Sequence, residues 1–271
     1  MFGLCLAPLF AAAEFNPFEG PMPIAIFIQS DPWDMVIGSD TPRVAVYENG
    51  EVILVKKIND RPVYHRVMLD KDALARLSEQ LKPVLAMKDL KSGYEIAPNV
   101  TDQPQAMFYF RDGTREITTA VYGLRAADTK LPAYTRNPDS PVTDVPPAEL
   151  LKLHKWLCEL DYPKSEEWTP KYVEVMLWDY SYAPDPSIQW PKPWPALNSY
   201  RAMKRGNSYS IFLDGSILPK LRKFLATQKK RGAIQIDGKK MAASYRSTFP
   251  GEPFWHRAFA AAKKAGNNDG S

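Results

Sequence analysis

Three aspartates stand close together in the segment SDPWDMVIGSD, namely Asp31, Asp34 and Asp40. Two carboxylates at a suitable separation can run a hydrolase, and clustered carboxylates can hold Ca²⁺. Their spacing fits no calcium-loop pattern, and Asp-Pro and Gly-Ser-Asp are also ordinary turn sequences. The segment therefore predicts either a hydrolytic site or a turn, and we favour the turn.

A second pair with chemical potential is His154 and Cys158, which are four residues apart and would share one face of a helix. An imidazole beside a thiol can activate it as a nucleophile. Alternatively, Cys158 packs at the edge of the apolar stripe formed by Leu150, Leu153 and Leu157. We favour packing, because working Cys–His pairs usually come from separate elements that meet in space.

Other catalytic patterns are absent from the sequence. The 3 histidines have no metal-ligand spacing, and there is no CxxC, HExxH, GxSxG, P-loop or dinucleotide-binding glycine pattern. We therefore expect no metal and no cofactor. Whether the chain is an enzyme stays open, and we favour a non-enzymatic protein.

Positive charge is concentrated at the end of the chain. Residues 201–271 carry 15 Lys and Arg against 4 Asp and Glu, a net of +11, whereas residues 1–200 carry 20 against 27, a net of −7. The candidate binding residues in the basic part are Lys220, Lys223, Lys229, Lys230, Arg231, Lys239 and Lys240. This asymmetry indicates an anionic partner, either a protein or an anionic polymer. Alternatively, the acidic part neutralises the basic part by packing against it.

Two tryptophans in the proline-rich stretch WPKPWP, Trp190 and Trp194, are further candidates for binding. Their rings could stack on a sugar or on a partner. Alternatively, they fold back over the core. Nucleic acid is disfavoured as a ligand, because no DNA- or RNA-binding motif is visible.

One pattern that would position these residues occurs twice in the chain. The segments VMLDKDALARLSEQL (67–81) and IFLDGSILPKLRKFL (211–225) match at one Asp and four Leu positions. Each copy predicts a strand, a helix capped by Asp72 or Ser216, and a buried leucine stripe. Asp-Gly pairs at 112–113 and 237–238 follow the two copies and predict hairpins, as does the Asn-Gly pair at 49–50.

The predicted fold is therefore α+β, with two related strand–helix–hairpin units, mainly antiparallel sheets and proline-rich connections. The two units are expected to superpose. The predicted organisation is a signal segment 1–13, a first unit 14–124, a proline-rich connection 125–147, a connecting helix 148–162, a second unit 163–262 and a flexible tail 263–271.

The apolar start of the chain predicts export. Residues 1–13 end in three alanines, as expected of a secretory signal cleaved before Glu14, although a positively charged start is missing. The alternative is an apolar element of the fold in a cytoplasmic protein. No stretch of the sequence is long and apolar enough to span a membrane. After cleavage Cys158 would be the remaining cysteine, which favours a bacterial periplasmic or secreted protein.

Taken together, these features predict an exported, non-catalytic binding protein of the cell envelope, and an inhibitor or immunity-type protein is one form of it. One alternative is a hydrolase that uses the aspartate cluster between the two halves. Another is a structural envelope component.

Overall fold

The computed structural model describes residues 15–30, 32, 41–97, 100–125 and 145–268. Within these residues the strands form two sheets, of eight and six strands, and four α-helices accompany them. This confirms the predicted α+β class. In the described ranges no helix combines the length and the apolar character that crossing a membrane requires.

The first sheet contains the strands of the first part of the chain. Its strands are β1 (Pro23–Ser30), β2 (Val44–Tyr47), β3 (Glu51–Ile58), β4 (Arg61–Met68), β5 (Gly93–Glu95), β6 (Gln105–Asp112), β7 (Arg115–Tyr122) and β8 (Glu166–Glu167). Their spatial order is β5-β7-β6-β1-β2-β3-β4-β8. Neighbouring strands are antiparallel except β5 and β7, which run parallel.

Helices α1 (Lys71–Leu85) and α2 (Ala148–Glu159) cover one face of this sheet. The leucine stripe of α1 is buried there, as predicted, through Leu77 and Leu81. The predicted cap is wrong by two residues: Asp70, not Asp72, accepts a hydrogen bond from the Ala73 amide at 2.7 Å. Asp72 instead lies in the first turn, where its negative charge stabilises the helix dipole.

The second sheet contains six strands from the later part of the chain. They are β9 (Tyr172–Asp179), β10 (Asp185–Gln189), β11 (Ala202–Arg205), β12 (Ser208–Asp214), β13 (Gly232–Ile236) and β14 (Lys239–Ser247). The spatial order is β10-β13-β14-β9-β12-β11, and β10 pairs parallel to β13 while the other pairs are antiparallel.

Helix α3 (Leu218–Ala226) packs on one face of the second sheet and buries Leu221. A 3-10 turn at Gly215–Ile217 precedes it, so Ser216 does not cap the helix as predicted. Pro219 lies in the first turn of α3, where its missing amide proton costs no helical hydrogen bond.

All three predicted hairpins form, at β2–β3, β6–β7 and β13–β14. Their turns differ in detail. Asp237 and Gly238 both have positive φ, 48° and 77°, as a two-residue turn of this kind requires. In the β6–β7 hairpin Asp112 instead pairs with Arg115, so Gly113 is the first residue of the loop.

The predicted superposition of two duplicated units is wrong. In the first sheet, β4 precedes the helix and is separated from the β6–β7 hairpin by three strands, with β6 on the near side. In the second sheet, β12 precedes the helix and is separated from the β13–β14 hairpin by one strand, with β14 on the near side. The two segments share a local strand–helix pattern, but their strands are ordered differently.

The last helix, α4 (Glu252–Asn268), connects the two sheets. Its Trp255 is fully buried and belongs to a cluster with Phe249, Ile26 and Tyr109 on the second face of the first sheet. The N-terminus of α4 contacts the second sheet through Glu252, which accepts two hydrogen bonds from Arg246 of β14.

Helix α4 also extends into the range where the sequence predicts a tail, 263–271, because it continues to Asn268. Alanines at 260–262 precede this range and have the highest helix propensity of any residue. The predicted signal segment 1–13 and most of the predicted connection 125–147 lie outside the described residues.

Candidate binding site

The aspartates proposed for hydrolysis or cation binding, Asp31, Asp34 and Asp40, lie outside the described residues. Among the residues that the structure does describe, no group of three or more His, Cys, Asp or Glu side chains is arranged to hold a metal ion.

His154 and Cys158 do meet on α2, where the sulfur lies 3.5 Å from Nε2 of the imidazole. His154 is buried, and its ring contacts Phe27 and Phe108 edge to face. Burial, together with the positive charge of Arg43, lowers the pKa of His154 to about 4.

The same burial makes this pair unsuitable as a nucleophile. It raises the pKa of the Cys158 thiol to about 11, although the nearby Arg43 charge acts in the opposite direction. At neutral pH the thiol therefore keeps its proton and the imidazole is uncharged, whereas an activated cysteine needs a lowered pKa. The arrangement favours the packing interpretation.

Trp190 and Trp194 fold back over the core of the second sheet. Trp190 is buried, and its indole N–H donates to the Pro195 carbonyl at 3.0 Å. Its ring lies 5.0 Å from that of Trp194 and 5.9 Å from that of Phe224 on α3, both edge to face. The ring and the indole N–H of Trp190 therefore both make contacts within the protein. Trp194 packs against the same hydrophobic cluster.

The seven basic candidates are all exposed. In the described part of the chain only Arg231 lies within 4 Å of a carboxylate, that of Asp185, at 3.9 Å. Lys239 instead donates a hydrogen bond to the Tyr209 hydroxyl at 3.0 Å, and this bond lowers the pKa of Tyr209. This distribution argues against the alternative in which the acidic part neutralises the basic part.

These basic residues fall into groups at the two ends of β13. Lys229, Lys230 and Arg231 precede the strand, and Lys239 and Lys240 follow its hairpin turn. A strand of five residues separates the two groups by about 17 Å. Lys220 and Lys223 lie on α3, which precedes both groups in the chain.

An aromatic loop after β9 links these two groups. At one end, the Tyr180 amide donates to the Lys240 carbonyl at 3.0 Å. At the other end, the Arg231 amide donates to the Asp185 carboxylate at 3.2 Å. Tyr182, in the middle of the loop, is 77% exposed, and its ring meets that of Tyr180 edge to face.

We call this combination the basic–aromatic surface. It consists of Trp178, Tyr180, Tyr182, Lys229, Lys230, Arg231, Lys239 and Lys240. The strand register places Trp178 and Lys240 on the face opposite α3, whereas Lys239 projects from the α3 face at the hairpin tip. Trp178 is 38% exposed although it lies on a strand. The three aromatic residues are not among the binding residues predicted from the sequence. The sequence feature that indicates them is the segment WDYSY, in which aromatic residues alternate with polar ones immediately before a proline-containing turn.

A buried ionic cluster, also missed from the sequence, lies on the opposite side of β14 from α3. The guanidinium of Arg246 contacts Glu174 of β9 at 2.7 Å and Glu252 of α4 through two bonds of 2.9 and 2.7 Å. Ser210 donates to the second oxygen of Glu174. The sequence signal is Glu174 itself, a single charge inside the apolar run YVEVMLW.

This cluster is organised as an ion pair and not as an acid–base site. Burial tends to raise the pKa of Glu252, but hydrogen bonds from His256 and Arg246 outweigh it and hold the pKa below the usual value. A catalytic acid at neutral pH needs the opposite shift. The Phe249 amide also donates to Glu252 at 2.7 Å, which adds a further hydrogen bond to this carboxylate at the start of α4.

The chain was compared with protein-family models, with curated proteins and with solved structures, and none of the three comparisons gave a match.

Proposed function

We propose that this protein is a non-catalytic binding protein that captures an acidic protein partner through the basic–aromatic surface. The observation that supports this most directly is the exposed Tyr182 loop, which lies between two groups of lysines without carboxylate partners in the described part of the chain.

The two kinds of residue in this surface have different effects on binding. Exposed lysines attract an acidic partner over distances comparable with the screening length and raise the association rate. Tyrosine and tryptophan bury large rings at a low entropic cost, and they are enriched among the residues that dominate binding energy. The lysines would thus steer the partner and the aromatic rings would anchor it.

A folded protein suits this surface better than a polyphosphate. Carboxylates are interspersed with the aromatic rings: Asp179 accepts a hydrogen bond from Ser181 at 3.1 Å, and Asp185 lies beside Arg231. These carboxylates would repel a chain of phosphates. A protein with a mixed surface can place a lysine or arginine opposite them.

The proposal includes export to the periplasm or the medium, in line with the apolar segment at residues 1–13. The simplest class of protein with this function is an inhibitor or immunity-type protein. Such proteins bind one partner tightly and carry out no chemistry of their own.

The test is quantitative capture of the partner by a charge-reversed variant, K229E/K230E/R231E. We expect capture at low salt to fall by about tenfold or more, because attraction becomes repulsion, and the difference should shrink as salt is added. The thermal stability should change little, because these side chains are exposed.

The matched control is K88E/K152E/K164E, which reverses the same number of exposed positive charges away from this surface. It should capture the partner as the unmodified protein does. Tyr182→Ala completes the experiment, because loss of an anchor should weaken capture at every salt concentration. Equal losses in the control and the test variant, or no loss in either, contradict the proposal. Recovery of nucleic acid as the captured partner also contradicts it.

A further inference from the structure

A second surface feature, independent of the basic–aromatic surface, is a groove between the two sheets. It has a volume of about 790 Å³, within the range of small-molecule sites. The first sheet and the segments around it supply one wall, including Val55, Val63 and Trp168, and Leu218 of α3 supplies part of the other.

Four arginines line this groove: Arg246, which is paired with two glutamates, and three others from separate elements. Arg43 immediately precedes β2, Arg61 begins β4, and Arg222 lies on α3. In the described ranges none of the three has a carboxylate within 4 Å, although Glu167 also lines the groove. Arg222 donates to the Tyr245 hydroxyl at 3.2 Å.

Arg43 is the most informative of these residues because its side chain is half-buried. Buried or half-buried guanidinium groups are normally paired with an anion, since removing their charge from water carries a large cost. Arg246, which also lines the groove, shows the usual arrangement, in which two glutamates surround the guanidinium. Arg43 has no such partner among the described residues.

We propose that this groove binds a small organic anion, one that carries a carboxylate or phosphate group on an apolar body. Guanidinium groups present paired N–H donors that match the oxygens of both anions. Val55, Val63 and Leu218 offer an apolar wall for the rest of the molecule. The inference goes beyond the proposed capture of a protein partner, because it uses a different set of residues.

The test uses three probes with the same aromatic ring: benzoate, phenyl phosphate and uncharged benzyl alcohol. Isothermal titration calorimetry on the full chain at low salt should show saturable binding of at least one anion and none of benzyl alcohol. The stronger of the two anions identifies the class of head group. Arg43→Gln and Arg222→Gln should each weaken binding about tenfold or more.

Arg76→Gln is the matched control, because it removes the same charge from an exposed position on α1, outside the groove. It should leave the affinity unchanged. If Arg43→Gln lowers the melting temperature, its effect on anion binding cannot be separated from its effect on folding. The binding affinity of Arg222→Gln, a substitution at an exposed position, then decides whether the groove binds the anion. The proposal is overturned if neither anion binds, if benzyl alcohol binds equally well, or if Arg222→Gln binds as tightly as Arg76→Gln. Partner capture by Arg222→Gln is expected to be normal, so the two proposals can fail separately.

Discussion

Replacing Arg246 with alanine is expected to lower the free energy of unfolding by about 3–5 kcal/mol. The side chain neutralises two carboxylates, those of Glu174 and Glu252, which are 0% and 1% exposed. Without the guanidinium, both carboxylates would be buried without their main counter-charge, and the contact between α4 and the second sheet would be lost. Urea denaturation at neutral pH measures the change.

The control for this result is Arg205→Ala. Arg205 also approaches Glu174, but at 3.5 Å and with a side chain that is 57% exposed, so its removal should cost less than about 1 kcal/mol. The variant R246M/E174Q/E252Q removes all three charges together and should recover part of the loss. If Arg246→Ala and Arg205→Ala have equal effects, the buried cluster does not hold α4 in place.

A fall in pH from about 6.5 to about 4 is expected to lower the free energy of unfolding by about 3 kcal/mol through His154 alone. Burial, with Arg43 second, lowers the pKa of this imidazole from 6.5 to about 4 in the folded protein. Between these two pH values the unfolded chain binds a proton that the folded protein does not, so acid favours unfolding. Above pH 6.5 this contribution is constant.

The measurement compares denaturation of the unmodified protein and of His154→Leu at several pH values. Carboxylates such as that of Glu252, with its lowered pKa, also lose stabilising interactions in acid, but they do so in both proteins. The free energy of unfolding is plotted against pH for each protein. The difference between the two slopes therefore gives the contribution of His154 alone. Identical slopes would show that His154 titrates normally in the folded protein and is more accessible than the structure indicates.

Local features of the fold follow from the sequence because their causes are local. The leucine spacing predicts that Leu77, Leu81 and Leu221 are buried, and they are. The Asp-Gly and Asn-Gly pairs predict three hairpins correctly, since few residues adopt positive φ. A fourth tight turn, at Asn59 and Asp60, was missed, and both of these residues have positive φ.

The arrangement of strands within the sheets does not follow from such patterns. The two segments with matching leucines form similar strand–helix pairs, yet β4 and β12 have different neighbours. Which strands pair with each other depends on the strands that precede each segment and on the apolar sheet faces that helices must cover. A pattern of fifteen residues carries no information about either.

The candidate surface could be predicted in part. The charge asymmetry identifies the lysines, and their exposure agrees with a solvent-facing cluster. The aromatic loop was missed because its position beside Lys240 depends on the pairing of β9 with β14. The buried cluster was missed for a similar reason, since Glu174 and Arg246 are 72 residues apart in sequence.

Hydrogen–deuterium exchange on the complex with the captured and purified partner tests directly whether the basic–aromatic surface is the binding site. We expect amides at 178–185, 229–232 and 239–241 to exchange at least about tenfold more slowly in the complex, whereas exchange in α1 and α2 should be unaffected. Unchanged exchange in these three segments, with protection elsewhere in the chain, would contradict the assignment of the basic–aromatic surface as the binding site.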